Sequence, residues 1–246
     1  EQHSLFLPIG SRDSADPDRI RRLLGFVAEH RIHALLMDGL AQGSSPSEIR
    51  NLVEDTPVCV VHRWQWDEPI AGPAVLVDFA EAYRTALVRL RALGHRRVVV
   101  GVFHDFQKRF VRRRLDKAFP DGNAPFTGRD LHLLNVDKAA RRPATLARLF
   151  GGRRPPTAAL CMTDVLCHRL REVVDSTRAR SCPLALVGFY DTPWSQHAWG
   201  EFSSFRVDFR TMWEQAIGMM NHDRNSTKVA WVPPRFVDRT SGGGDA

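Results

Sequence analysis

The sequence predicts an α/β protein made of two successive parallel-sheet lobes, and three observations carry that prediction. Short β-branched or apolar runs alternate with amphipathic helical segments along most of the chain, the pattern that builds parallel sheets covered on both faces. A length of 246 residues suits two lobes of roughly 100–130 residues each better than one core. Late in the chain the alternation gives way to short extended pieces around one helix, as a chain returning across a lobe boundary requires.

Taken in order, Leu5–Ile9 reads as a strand. Asp16-Pro17 supplies a cap and a first-turn proline for a helix over Asp18–Glu29, where Ile20, Leu23, Leu24 and Val27 recur at three and four. His33–Met37 is the next strand. The turn Gly43-Ser44-Ser45-Pro46 leads to a short helix through Ile49 and Leu52, and Pro57 opens the strand Val58–Val61. After the polar segment Gln65–Pro73, Ala74–Val77 is extended. A helix from Phe79 places Phe79, Ala82, Tyr83, Ala86, Leu87, Leu90 and Leu93 on one stripe, with Gly94 as its left-handed cap.

The second set of units is the strand Arg97–Val102, the helix Gln107–Phe119, the strand Leu131–Leu134, the helix Ala140–Phe150, the strand Thr157–Cys161, the helix Asp164–Val174 and the strand Leu184–Val187. Ser203–Val207 is a short extended piece. Phe209–Met220 is a helix with Met212, Trp213, Ala216 and Ile217 inward, and Val232–Val237 is extended again. The Gly-rich end, Ser241–Ala246, reads as a flexible tail.

Composition narrows the function. Hydrophobic residues at 43% and charged ones at 26% exclude bulk disorder. No apolar run approaches the roughly 20 residues that span a bilayer, and no export pattern opens the chain, so a cytoplasmic protein without membrane contact is expected. Cys59, Cys161, Cys167 and Cys182 form no CxxC pair and read as buried free thiols, with no metal and no cofactor implied. The net charge of +7 draws on a basic stretch from Arg84 to Lys117, but Arg84, Arg91, Arg112 and Arg113 alternate with core-type residues, as on a solvated helix face. No helix-turn-helix, zinc-finger or RNA-binding aromatic pattern occurs. No G-x-S-x-G, phosphate-binding G-x-x-x-x-G-K-[ST], G-x-G-x-x-G or H-E-x-x-H occurs either, and neither His62 with Asp78 nor His104 with Asp105 makes a nucleophile–base–orienter set, so no enzyme is expected.

Five segments are similar, in order and spacing, to the effector-binding domain of the lactose/galactose-repressor (LacI/GalR) family of transcription regulators. Val75-Leu76-Val77-Asp78, the helix after it and Leu93-Gly94-His95-Arg96-Arg97-Val98 resemble V-x-x-D, helix, L-G-H-[RK]-[RK]-[IV]. The run from Pro155 to Asp164 resembles P-T-A-[IL]-x-x-x-N-D, with Thr163 in place of Asn. Cys182 to Asp191 resembles the strand and loop ending V-G-[FY]-D-D, with Tyr190 in place of the first Asp. Ser203 to Asp208 resembles L-T-T-[IV]-x-x-D, and Pro233 to Ser241 the closing P-x-L-[IV]-x-R-x-S-T. The match runs from about Ile20 to Ser241. In its register Leu5–Ile9 corresponds to the family's second strand, so the first strand and helix and the DNA-binding helix-turn-helix are expected outside this chain.

The resemblance implies a periplasmic-binding-protein-like type I fold, two Rossmann-like lobes with a ligand cleft between them. One lobe would comprise 1–77 plus about 208–230, the other 78–207 plus about 231–246. It also implies a homodimer, a small-molecule effector such as a sugar or sugar derivative, and allosteric control of operator DNA through an N-terminal domain. The alternative is a periplasmic-type solute-binding protein for a sugar. Ligands of such sheets sit beyond the carboxyl ends of strands, which nominates His62, Asp78, His104, Asp105, Thr163, Asp164, Tyr190 and Asp191. Arg109 is the nearest match to the family's R-x-x-G arginine, with Val111 in the direct register and Arg114 where Gly is expected.

Simpler roles compete. Asp164 and Asp208 at helix starts are expected as caps, and His95 as a hydrogen-bonded turn residue. Trp64 and Trp66 suit ligand stacking or packing equally, and Trp194 suits an interface or lid.

Overall fold

The computed structural model describes residues 25–26, 29, 35–38, 58–61, 73–176, 184–196, 201–222 and 228–239. The expected elements at Leu5–Ile9 and Ile49–Leu52, and the residues His62, Trp64 and Trp66, lie outside the described residues. The chain divides into two compact units, one of Glu1–Val77 with Phe209–Val232 and one of Asp78–Asp208 with Pro233–Ala246.

In the first unit, strands β1 (Leu35–Asp38), β2 (Val58–Val61), β3 (Ala74–Val77) and β9 (Val229–Val232) form a parallel sheet in the order β1-β2-β3-β9. The helix α7 (Phe209–His222) packs on β2 and β3. Met212, Ala216 and Met220, each one turn apart, are its buried face, whereas Ile217, expected inward, is 48% exposed.

The second unit holds a six-stranded sheet in the order β10-β8-β7-β6-β4-β5. Its strands are β4 (Val98–Val102), β5 (Leu131–Asn135), β6 (Ala158–Cys161), β7 (Ala185–Phe189), β8 (Ser203–Arg206) and β10 (Arg235–Val237). All neighbours are parallel except β10 with β8. β4 and β6 are buried at every residue, as strands covered on both faces must be. On one face α5 (Asp164–Ser176) packs against β4, β6 and β7, where Leu166, Cys167, Leu170 and Val174 meet Val99, Ala159 and Leu186. The short helix α6 (Pro193–Gln196) follows β7 and touches α5. Elsewhere α1 (Phe79–Ala92) packs on α2 (Gln107–Ala118). Phe79 links them to the sheet, its ring 5.8 Å from Phe110 and 5.2 Å from Phe189.

The family-like turn after α1 explains its own sequence. Gly94 has φ +86°, its N–H donates to Arg91 O, and the His95 N–H donates to Leu90 O. These are the paired bonds that close a helix through a left-handed residue, and they leave Leu93 65% exposed and off the expected stripe. His95 Nδ1 lies 2.9 Å from Thr157 Oγ1, a hydrogen bond of the kind expected for it. Arg84, Arg91, Arg112 and Arg113 are exposed, and Cys161 and Cys167 are buried free thiols.

Two expected elements are divided, each at proline. Instead of one helix over Ala140–Phe150 there are α3 (Val136–Ala140), capped by the Asn135 side chain, and α4 (Pro143–Phe150). Pro143 has no N–H to continue the first helix and holds Arg142 in a non-helical conformation. Val232–Val237 likewise separates into β9 and β10, in different sheets, because Pro233 and Pro234 cannot donate to a continuous ladder.

Two glycines give opposite expectations. Gly94→Ala forces a side chain into the left-handed region and costs about 1 kcal/mol. Gly218→Ala, inside α7 with nothing within 4 Å of the added methyl, stabilises by about 1 kcal/mol. Urea unfolding of the two variants checks both signs.

Candidate functional site

The order of the second sheet marks the edge where the sequence candidates are to be sought. From β4 the chain runs to β5 on one side and then to β6 on the other, so the direction of winding reverses between β4 and β6. Loops leaving the carboxyl ends of two such strands diverge and open a crevice. The segments at this edge are the loop 103–106 after β4, the loop 162–163 with the first residue of α5 after β6, and the loop 190–192 after β7, and they carry six of the nine sequence candidates: His104, Asp105, Thr163, Asp164, Tyr190 and Asp191.

In the β4 loop, buried Gln107 accepts from the N–H groups of Phe103 and His104, both at 2.9 Å, and so shapes the turn. His104 is exposed and its ring stacks on Phe106 at 5.4 Å. Asp105 pairs with Lys108 at 2.7 Å and Lys138 at 3.1 Å, and hydrogen bonds from these lysines hold its carboxyl below the usual range. Arg109 is exposed on α2 and forms no ion pair among the described residues. Asp78 caps α1, its Oδ1 accepting from Ala80 N and Glu81 N.

Asp164 does not cap α5 as expected. Thr163 does, its Oγ1 accepting from Leu166 N at 3.1 Å. Asp164 turns inward, 1% exposed, and accepts from Thr192 N at 2.6 Å, Thr192 Oγ1 at 2.9 Å and Ser204 Oγ at 2.6 Å. Burial pushes its carboxyl up, against the lowering effect of the Ser204 and Thr192 hydrogen bonds. Gly188 makes room for it, since a methyl there would overlap Asp164 Oδ1.

Asp191 anchors the neighbouring loop. Its side chain is 1% exposed, and its carboxylate accepts from Arg206 Nε at 2.7 Å, Arg206 Nη2 at 2.5 Å and Arg239 Nη1 at 2.6 Å. Burial alone would raise the carboxyl, but hydrogen bonds and charge from Arg239 and Arg206 outweigh it and hold it low. The Asp191 N–H donates to Ser204 Oγ, which in turn donates to Asp164, so one serine joins both acids. Arg239 is tied down separately through its own N–H to Ser203 Oγ at 3.0 Å.

Between these anchors Tyr190 and Asp191 have φ of +89° and +49°, and Tyr190 N donates to Phe205 O at 2.7 Å. Two consecutive non-glycine residues in this region store backbone strain, which persists only where surrounding bonds over-determine it. Below lies a residue that sequence periodicity assigned only to the core. Tyr83 is fully buried against Phe189, and its hydroxyl has no hydrogen-bond partner among the described residues. Burial pushes its ionisation up, Tyr190 adds to that and Arg114 opposes it, so the three groups lie within electrostatic reach of one another. The Arg114 guanidinium sits 4.9 Å from the Phe110 ring centre. Trp194, exposed, tilts against His168 at 4.9 Å.

Among the described residues no group of three or more His, Cys, Asp or Glu side chains is placed to hold a metal, and no helix is long and apolar enough to cross a membrane.

No family model matches the chain, and no curated protein matches it in sequence. Solved structures share its fold. A lac repressor dimer bound to operator and the anti-inducer ONPF aligns at TM-score 0.68 and 12% identity, covering 91% of this chain and 78% of its own. The transcriptional regulator CelR in complex with cellobiose aligns at TM-score 0.69 and 17% identity, over 92% of this chain and 71% of that one. A periplasmic binding protein/LacI transcriptional regulator from Alkaliphilus metalliredigens QYMF, complexed with D-xylulofuranose, aligns at TM-score 0.64 and 10% identity, over 93% and 84%. The chain therefore has the periplasmic-binding-protein-like α/β fold of such regulators.

The Asp191 ion pairs carry a pH signature. A carboxyl held low in the folded state contributes stability above its ordinary value, and that contribution is lost as pH falls through the lowered value. The raised Asp164 carboxyl has the opposite sign, adding relative stability at low pH and losing it as pH rises through the raised value. Asp191→Asn is expected to cost about 3 kcal/mol at neutral pH, less any part that solvent screens at half-exposed Arg206. Urea unfolding should show that deficit shrinking as pH drops below about 4. A deficit independent of pH would mean that the ion pairs do not stabilise the fold.

Proposed function

We propose that this chain is the effector-sensing and dimerisation domain of a LacI-type transcription repressor. It binds a small polar metabolite, a sugar or sugar derivative, at the carboxyl edge of the second unit's sheet, and binding controls operator DNA through an N-terminal reading domain. One observation carries the reading. Asp164, Tyr190 and Asp191, Ser203 to Arg206 and Arg239 come from four of the family-like segments, and hydrogen bonds and ion pairs join them around a strained loop at the edge where α/β sheets take ligands. The shared fold, and the sugars in the CelR and Alkaliphilus structures, support it.

In this reading Tyr190 contacts the effector, with the Tyr83 hydroxyl beneath it and His104 and Arg109 on the adjoining loop and helix. Thr163, Asp164 and Asp191 shape the site through the bonds described above, while Asp105 and Asp78 set the loop charge and the start of α1. Catalysis is not proposed, because His104 stacks on Phe106 and Asp105 is held by two lysines, leaving that adjacent pair without a nucleophile to serve. Control of DNA needs only an effector that binds the operator-competent and operator-incompetent states with different affinity.

Thermal unfolding against panels of sugars, sugar acids, polyols and nucleobases tests the reading, since a ligand at 100 times its Kd adds about 2.7 kcal/mol. One class is expected to raise the Tm, and Tyr190→Ala to abolish the rise while Tyr190→Phe keeps part of it. A rise unchanged in Tyr190→Ala removes Tyr190 from the site, and no rise with any class contradicts effector sensing. In the full-length protein the same compound should change operator affinity. A sugar-binding solute receptor would show the thermal shift with no effect on DNA.

A further inference from the structure

A second concave surface runs along the outer edge of the same sheet. β5 is the end strand and, among the described residues, pairs with β4 alone, so its other hydrogen-bonding edge meets no strand. The groove beside it encloses about 680 Å³, within the roughly 300–1,000 Å³ typical of small-molecule sites. α2 contributes Lys108, Arg112 and Leu115, α4 contributes Thr145, Arg148 and Leu149, and β5 lines it with Leu131 to Leu134.

The lining is one-sided in charge. Among the described residues it holds three cationic side chains, Lys108, Arg112 and Arg148, and no acid. Lys108 is partly satisfied by Asp105 outside the groove, but Arg112 and Arg148 are exposed and form no ion pair among the described residues. Lys108 and Arg112 are four residues apart and share a helix face, and Arg148 approaches from a different helix. His132 adds a ring whose ionisation burial and then the adjacent Arg97 charge push down. Cations gathered in a concavity repel one another unless an anion enters, and a concave wall strengthens their field toward one. The leucines from three elements supply an apolar bed beside that charge.

We propose that this groove binds a small organic anion, a phosphate or carboxylate carried on an apolar or aromatic body, with Arg112 and Arg148 clamping the charged group. The proposal does not rest on the effector reading, although Lys108 links this groove to the β4 loop through its ion pair with Asp105.

Calorimetric titration of the intact protein with phenyl phosphate, benzoate, inorganic phosphate and phenol tests the assignment. Phenyl phosphate or benzoate is expected to saturate a single site, with the better of the two identifying the anion, and its affinity to fall as NaCl rises. Arg112→Gln and Arg148→Gln should each weaken that binding about fivefold or more, whereas Arg84→Gln, an exposed arginine on α1, leaves it unchanged. No saturable binding of either organic anion up to about 10 mM overturns the proposal. So does undiminished binding in the Arg112→Gln/Arg148→Gln double variant, or phenol binding as tightly as phenyl phosphate. Sedimentation showing a dimer that separates when these arginines are replaced would assign the groove to a second copy of the chain and likewise overturn it.

Discussion

Two buried carboxylates, Asp164 and Asp191, set the terms for the second unit. A carboxylate taken out of water persists only where donors replace its hydration, and each acid recruits those donors from distant parts of the chain. Asp164 draws on Thr192 and Ser204, and Asp191 on Ser195, Arg206 and Arg239. Ser204 serves both, accepting from one loop while donating to the other acid. The arrangement requires Gly188, the only residue type that leaves Asp164 its space, and it requires β10 to return beside β8 so that Arg239 arrives at the same point.

From that constraint the shape of the sheet's carboxyl edge follows. The β7 loop cannot relax its positive φ angles without giving up the Asp191 ion pairs, the Asp191 N–H bond to Ser204 or the Tyr190 N–H bond to Phe205. Tyr190 is therefore presented from a rigid support at the carboxyl end of β7, near a buried tyrosine hydroxyl that lacks a hydrogen-bond partner among the described residues. Rigid elements hold a binding group to tighter tolerance than a free loop does, and strain at such a position is typical of sites that recognise something.

The sequence showed the scaffold better than the network. Val58–Val61 and Ala74–Val77 are legible to the residue, because each is a short apolar run opened by a proline, Pro57 or Pro73. Gly94 is legible because only a left-handed cap explains a glycine at the end of that stripe. The strand positions also put Thr163, Tyr190 and Asp191 just beyond the carboxyl ends of β6 and β7, where the structure has them. What local pattern does not contain is direction. An Asp at a helix start reads as a cap, and only the tertiary fold shows that Thr163 takes the cap and frees Asp164 to reach across to β8. Arg206 and Arg239 were invisible as partners for the same reason, since they stand 15 and 48 residues from Asp191 in the chain. The divided helix at Pro143 and the divided strand at Pro233-Pro234 were written in the sequence, and proline's missing N–H outweighed the apolar periodicity around it.

The two acids, then, hold the Tyr190 loop in its strained shape. Amide hydrogen exchange of Tyr190, Asp191 and Thr192, compared between the native chain and Asp164→Ala, tests this most directly. Loss of the Asp164 acceptors should speed exchange at Asp191 and Thr192 by about 100-fold while Val100 and Leu160 in the sheet keep their protection. Unchanged protection across residues 190–192 in that variant would show that the loop keeps its shape without the buried acid, and would contradict the dependence of the site on Asp164.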